Sequence, residues 1–218
     1  MQTTYSPPHD HGLDIIYRDE FLLVVNKPCG LLSVPGRGAD KADNLTSRVQ
    51  QRFPDALSVH RLDMSTSGLL LLARGKEAHR QLSQLFRAGK VKKFYVAVVA
   101  GQMKSVTGSV DLPLGPDWPN RPRQKVDFDN GKNSLTHYRV LACDANANTS
   151  RVELEPVTGR THQLRLHMAA IGHAIVGDAL YGTEAGSTEE RLLLHASVLN
   201  FIHPYTKEPL NLISEAPF

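Results

Sequence analysis

Residues 60–74 read HRLDMSTSGLLLLAR. The polar and apolar residues at its start, the small and hydroxylated residues at 65–68 and the apolar run at 69–73 predict an extended approach, a tight turn and a buried strand. In an extended approach Arg61 and Asp63 project from one face, and His60 and Leu62 from the other. Asp63 therefore stands as a carboxylate at a strand-to-loop corner.

Upstream, residues 13–28 contain two short β-rich runs around Arg18, Asp19 and Glu20, the pattern of a hairpin. A Gly- and Pro-rich loop follows over residues 30–43, after which Asn44 is placed to cap a short helix at 45–53 that stops before Pro54. Downstream, Ala78, Leu82, Leu85 and Phe86 fall at i, i+4, i+7 and i+8 of a helix whose C-terminal cap is Gly89. KKFYVAVVAG at 92–101 predicts a strand, residues 111–125 a loop punctuated by prolines, and residues 136–159 two strands around an Asn-rich turn. A helix through His167 and Met168, with Leu164 and Ile171 in register, ends at Gly172, and residues 192–213 close the chain as strands. Many strands with three or four helices favour an α+β fold, a central mixed, mostly antiparallel sheet flanked by helices and loops, over a doubly wound one.

A chain of 218 residues with 41% hydrophobic and 22% charged residues can bury a sizeable core without disulfides or a structural metal. Its longest uninterrupted apolar run, residues 94–100, is far shorter than the ~20 residues of a membrane span. Cys29 and Cys143 form no CxxC pair, which argues against a disulfide framework, a zinc ribbon and a thioredoxin-like site, and fits a reducing cytoplasm. Residues 1–12 lack the basic and apolar segments of a secretory signal and read as a flexible leader before one domain at 13–218.

Ten histidines invite a metal reading. His162 and His167, five apart on a predicted helix, diverge by about 140° and do not converge as a ligand pair would, so no metal is expected. No GxSxG elbow, GxGxxG or GxxxxGK[ST] is present, which leaves a serine hydrolase or a nucleotide cofactor without its local sign. The net charge is only +3, yet residues 74–93 carry seven basic residues against one acid, Glu77. Such a run is either a solvated helix face or a patch for a polyanion such as RNA.

HRLDMSTSGLLLLAR resembles the catalytic motif of the RluA family of pseudouridine synthases. KKFYVAVVAG is similar to the family's second motif, with Tyr95 at its aromatic position. GRTHQLRLHMAAIGHAIVGDALYG at 159–182 is similar to the third, with Arg165 at its basic position, and RLLLHA at 191–196 to the C-terminal element. The resemblance implies the pseudouridine synthase fold, catalysis by Asp63, Tyr95 and Arg165, no cofactor, and RNA as the partner. The Pro-rich loop and short chain resemble the member that modifies both a tRNA anticodon loop and a 23S rRNA hairpin.

Many relatives also carry an S4 RNA-binding domain, which this chain is expected to lack. RNA recognition then falls to Arg80, Arg87 and Lys92 on the basic helix side and to Arg121, Arg123 and Lys125 in the loop, as phosphate contacts. No membrane or protein partner is implied, and a monomer is expected. The reaction breaks the N1–C1′ bond of uridine, turns the base and joins C5 to C1′. An ionised Asp63 either attacks C1′ or removes a ribose proton, with Arg165 as the cation that keeps it charged and Tyr95 near C5 for proton transfer. A stacked uridine must be flipped out, and of two further expected RNA contacts, Arg61 and His60, Arg61 is expected to fill the gap while His60 supports the loop. The other reading is a non-catalytic RNA-binding or RNA-folding protein, against which the intact Asp63, Tyr95 and Arg165 argue.

Overall fold

The computed structural model describes residues 5–36, 38, 41–182 and 191–218. In chain order the elements are β1 (Ile15–Arg18), β2 (Leu22–Lys27), α1 (Leu45–Arg52), β3 (Ala56–Ser58), β4 (Ser67–Arg74), α2 (Gly75–Arg87), β5 (Lys92–Ala100) and β6 (Thr107–Asp111). They continue with β7 (Leu114–Pro116), β8 (Gln124–Val126), β9 (Leu135–Asp144), β10 (Thr149–Pro156), α3 (Gln163–Ala170), β11 (Leu194–Ile202) and β12 (Pro209–Ile213). The chain divides into two compact units, one of residues up to Lys92 together with Ala196–Pro217, the other of Lys93–His195 with Phe218. Among the described residues no helix is long and apolar enough to cross a membrane.

In the first unit β1, β2, β4 and β11 lie side by side, with β12 beyond β11 and β3 also on β4. The expected hairpin forms between β1 and β2, and β2 runs antiparallel to β4 from Leu22 opposite Ala73 to Lys27 opposite Gly68. Leu22, Val24, Leu69, Leu71 and Ala73 share one core with Ala78 and Leu82 of α2 and with Leu199, Phe201 and Leu212 of the closing hairpin. Leu23, Val25, Leu70 and Leu72 alternate with them and are as fully buried, so both faces of these strands are covered. That explains an unbroken apolar run where a half-exposed strand would alternate. Each such leucine contributes roughly 1.5–3 kcal/mol by burial. Asn44 caps α1 as its position predicts, accepting the Ser47 N–H at 3.0 Å, and α2 ends before Gly89.

Most of the expected leader at 1–12 lies within the described residues. Residues 1–4, like Arg37, Ala39 and Asp40 of the Gly- and Pro-rich loop, lie outside the described residues. From Tyr5 onward the segment has no helix or strand but is fastened to the unit. The Tyr5 hydroxyl donates to the Asp43 carbonyl and accepts the Leu32 N–H, and the Arg48 guanidinium of α1 donates to the Pro8 carbonyl. Tyr5 and Asp43 are far apart in sequence, and no local pattern announces their contact.

In the second unit β5, β10, β9 and β6 are neighbours, and each of these pairs is antiparallel. β10 alternates strictly, burying Ser150, Val152, Leu154 and Pro156. Val152 and Leu154 join Ala97 and Val99 of β5 and Leu164 and Met168 of α3 in one core, against which Tyr95 packs. The Asn-rich turn between β9 and β10 is held by Asp144, whose carboxylate accepts the N–H groups of Asn146 and Ala147. The proline-punctuated stretch holds a hairpin that its breakers concealed, with Leu114, Gly115 and Pro116 opposite Val126, Lys125 and Gln124. A two-stranded ribbon tolerates Pro116 because an edge strand can spare an N–H.

Candidate active site

Asp63 sits between β3 and β4 on a loop clamped from several sides. His60 leaves the end of β3 and continues its pairing with a side chain, since its Nε2 accepts the Leu71 N–H of β4 at 2.9 Å. This bond requires the neutral ring, protonated on Nδ1. The same ring stacks on Phe86 of α2, centroids 4.6 Å apart. His60, expected among the RNA contacts, is thus turned toward the protein and supports the loop. Leu62 is buried; Ser33 accepts its N–H at 3.0 Å and donates to its carbonyl at 2.7 Å. Thr66 donates to the Asp63 carbonyl, closing the turn at 3.1 Å. Arg61 is exposed and Asp63 half-exposed, on the outward side that the alternation predicts.

Two features of this clamp were not read from the sequence. Lys27 is fully buried at the end of β2, and its ammonium donates to the carbonyls of Pro28, Leu31 and Met64 at 2.7–3.0 Å. Gly68 has φ of +112°, and a Cβ there would collide with the backbone N and carbonyl of Ala196 on β11. Only glycine fits such a conformation against a neighbouring backbone. The clamp leaves Asp63 outward on a loop whose backbone is bonded on both sides of it, at Leu62 and at Met64.

In the second unit Arg165, on α3, is 5% exposed and forms two hydrogen bonds to Asp178, Nε at 2.7 Å and Nη2 at 2.6 Å. Burial alone would raise the Asp178 pKa; the bonds and charge of Arg165 and the Leu180 and Tyr181 amides outweigh it and hold the carboxyl below its usual value. Gly177, with φ of +77°, precedes Asp178 where a Cβ would strike the Arg191 carbonyl. Tyr181 lies against the pair, with the Arg165 guanidinium 5.4 Å from its ring centroid. Its hydroxyl accepts the Gln124 N–H at 2.7 Å and meets His162 Nδ1 at 2.9 Å.

His162 sits at the left-handed N-cap of α3, not within the helix, while His167 is buried, bonded to the Thr136 hydroxyl and the Leu112 carbonyl. Asp178 and Tyr181 stand in the GDALYG end of the third motif. An acid following a glycine there was the available signal. Tyr95 is half-buried on β5, opposite Leu154.

The basic run is less uniform than its count. Arg74 is committed to Asp55, with both carboxylate oxygens within 2.9 Å of its Nε. Arg80 pairs with Glu77 at 2.7 Å, and its hydrogen bonds pull the Glu77 pKa down to about 2. Lys93 is partly buried, which pushes its ammonium pKa down. Arg87, Lys90 and Lys92 remain exposed around the end of α2. A groove of about 310 Å³ beside them is lined by Arg80, Gln84, Lys90 and, from the turn before β12, Lys207, which sequence reading missed. In the β7–β8 hairpin Arg123 donates to the Leu180 carbonyl, Lys125 pairs with Asp127 at 3.3 Å, and Arg121 lies over Trp118.

A profile of the family described as RNA pseudouridylate synthase matches residues 21–170. The dual-specificity RNA pseudouridine synthase RluA of Escherichia coli (strain K12) is 49% identical, the match covering 98% of each chain. The chain belongs to the RNA pseudouridylate synthase family. A second relative of this synthase, the dual-specificity RNA pseudouridine synthase RluA of Pasteurella multocida, is 50% identical over 99% of this chain and 98% of its own. The solved structure of human RNA pseudouridylate synthase domain containing 1 has the same fold, with a TM-score of 0.81 and 33% identity over 98% of this chain and 87% of that one. Membership makes this synthase an isomerase, an enzyme that rearranges uridine in RNA.

Proposed function

We propose that Asp63, Tyr95 and Arg165 carry the conversion of uridine to pseudouridine in this enzyme, on structured stem-loops. Asp63 acts at the ribose, by attack on C1′ or by removing a ribose proton. Tyr95 presents a ring to the uracil and a hydroxyl for the proton that leaves C5. Arg165 supplies the positive charge that an ionised carboxylate requires. The observation that carries this reading is the setting of Asp63, a carboxylate half open to solvent on a loop fixed by Lys27, Ser33 and His60. Fixing the backbone so firmly serves chemistry more than packing, because placement of the reacting group is where a barrier is lowered.

The substrates we infer are a tRNA anticodon loop and a 23S rRNA hairpin. Support comes from the dual specificity in the names of relatives that match nearly the whole chain at about half identity. Arg61 takes the place of the extruded uridine, its exposure beside Asp63 supporting that role. Arg80, Arg87, Lys92, Arg121, Arg123 and Lys125 contact phosphates, and both units belong to one catalytic domain acting as a monomer. A cytoplasmic location accords with two thiols, Cys29 and Cys143, that form no disulfide. Mapping pseudouridine across total RNA from cells with and without the gene tests the substrates. Sites lost from a tRNA anticodon loop and a 23S hairpin are expected; an unchanged map overturns the reading.

A further inference from the structure

The β7–β8 hairpin ends in an exposed aromatic side chain that has no part in the proposed chemistry. Trp118 is 64% exposed, and the Arg121 guanidinium lies 3.6 Å from its ring centroid, a close stack on one face of the indole. The tip carrying them is stiffened by its own bonds. Asp117 N–H donates to Arg123, Arg123 N–H to Asn120 and Asn120 N–H to Asp117, at 3.0–3.1 Å, and the Asn120 amide donates to the Asp117 carboxylate. The loop end of the hairpin is tied to the segment that holds Arg165, through Gln124 on the Tyr181 hydroxyl and Arg123 on the Leu180 carbonyl.

We propose that Trp118, backed by Arg121, is a stacking platform for an unpaired base of the RNA loop, a different nucleotide from the uridine that is isomerised. This rests on the reading of the protein as a synthase acting on RNA stem-loops. A largely exposed indole with a cation against its ring has a hydrophobic surface and a positive charge together, the combination that holds a nucleobase and its phosphate. Trp118 belongs to neither hydrophobic core, and its indole is held on the surface by the Arg121 guanidinium. A duplex offers no free base faces away from its ends, whereas loop bases offer theirs. The platform therefore favours unpaired loops over helices, and its attachment to the Arg165 segment places the contact within the unit that carries Arg165.

The chain contains a single tryptophan, so its intrinsic fluorescence reports on this residue alone. The test titrates the full-length protein with a synthetic RNA hairpin bearing an unpaired loop, and with a blunt duplex of the same stem, while anisotropy of a labelled RNA follows binding independently. Quenching that saturates with hairpin binding and is weak with the duplex is expected. Trp118→Ala weakens hairpin affinity by about fivefold or more, as loss of one base–aromatic stack does, and Trp118→Phe restores most of it. The proposal is overturned if tryptophan emission stays constant while anisotropy shows the hairpin bound, or if Trp118→Ala binds as wild type does. Pseudouridine formation by the wild-type protein on the same hairpin is measured in parallel. Its presence with a silent Trp118 removes the platform and leaves the function standing, whereas its absence removes the function reading itself.

Discussion

Arg165 and Asp178 form a two-bonded ion pair, 2.7 and 2.6 Å, in which the carboxylate side chain has no solvent exposure. Removing one partner of a buried pair leaves the other charge uncompensated, which costs about 3–5 kcal/mol. Asp178→Ala is therefore expected to lower the unfolding free energy by that order and to abolish turnover. Asp178→Asn, which keeps one acceptor oxygen, is expected to fold better and to lose more in kcat than in KM. Denaturant unfolding and steady-state kinetics measure both. An Asn variant with unchanged kcat removes Asp178 from the positioning of Arg165.

Gly68 gives a second prediction, about the loop bearing Asp63. A Cβ at this position meets the Ala196 backbone, and the positive φ adds strain of roughly 1–3 kcal/mol. Gly68→Ala is expected to lower Tm by at least about 2–4 °C. Thermal unfolding checks it; an unchanged Tm contradicts the close approach of β4 to β11.

Acid sensitivity should begin at His167. Its ring is wholly buried, and burial, opposed by the Leu112 carbonyl and Asp111, lowers its pKa from the usual 6.5. The unfolded chain then takes up the proton more readily, so stability is full above pH 6.5 and falls as pH drops from there toward the lowered folded value. Asp178 and Asp43 also have lowered values, but from 3.8, and act only at more acid pH. The urea midpoint of the wild type is expected to decline below pH 6.5, and that of His167→Gln to decline less. Equal slopes would remove His167 as the cause.

RNA affinity should fall linearly in log–log form with salt. Arg87→Glu, Lys92→Glu and Lys207→Glu are each expected to reduce the slope by about one. Arg80→Glu is expected to reduce it by less, because Glu77 competes with phosphate for the guanidinium. Fluorescence anisotropy against salt measures this, and slopes that ignore all four changes mark the surface as merely solvated.

Local patterns were the legible part of this fold. The α2 stripe, the Asn44 cap, the buried β4 strand and the β9–β10 hairpin all follow from spacing and turn chemistry, as the structure bears out. The β7–β8 hairpin was hidden because Pro113, Pro116, Pro119 and Pro122 read as breakers, although a small ribbon needs few N–H donors. Contacts between distant residues were illegible for a different reason. Nothing in the sequence near Tyr5 points to Asp43, and nothing near Lys27 announces that the Met64 carbonyl will accept its hydrogen bond. In the candidate site, motif resemblance named Asp63, Tyr95 and Arg165; Asp178 beside Arg165 had a signal in the acid that follows Gly177, whereas Ser33 on the Leu62 backbone and Tyr181 against Arg165 emerge only when the chain is folded.

If Asp63 carries the chemistry while phosphate contacts elsewhere hold the RNA, turnover and binding separate at this one residue. The most direct test is pseudouridine formation by Asp63→Asn under single-turnover conditions on a stem-loop that the wild type modifies, with affinity measured on the same RNA. No pseudouridine is expected, with affinity within about tenfold of wild type, roughly 1.4 kcal/mol. Turnover by the Asn variant at a measurable fraction of the wild-type rate, with deamidation back to Asp excluded by mass, would contradict this role of Asp63.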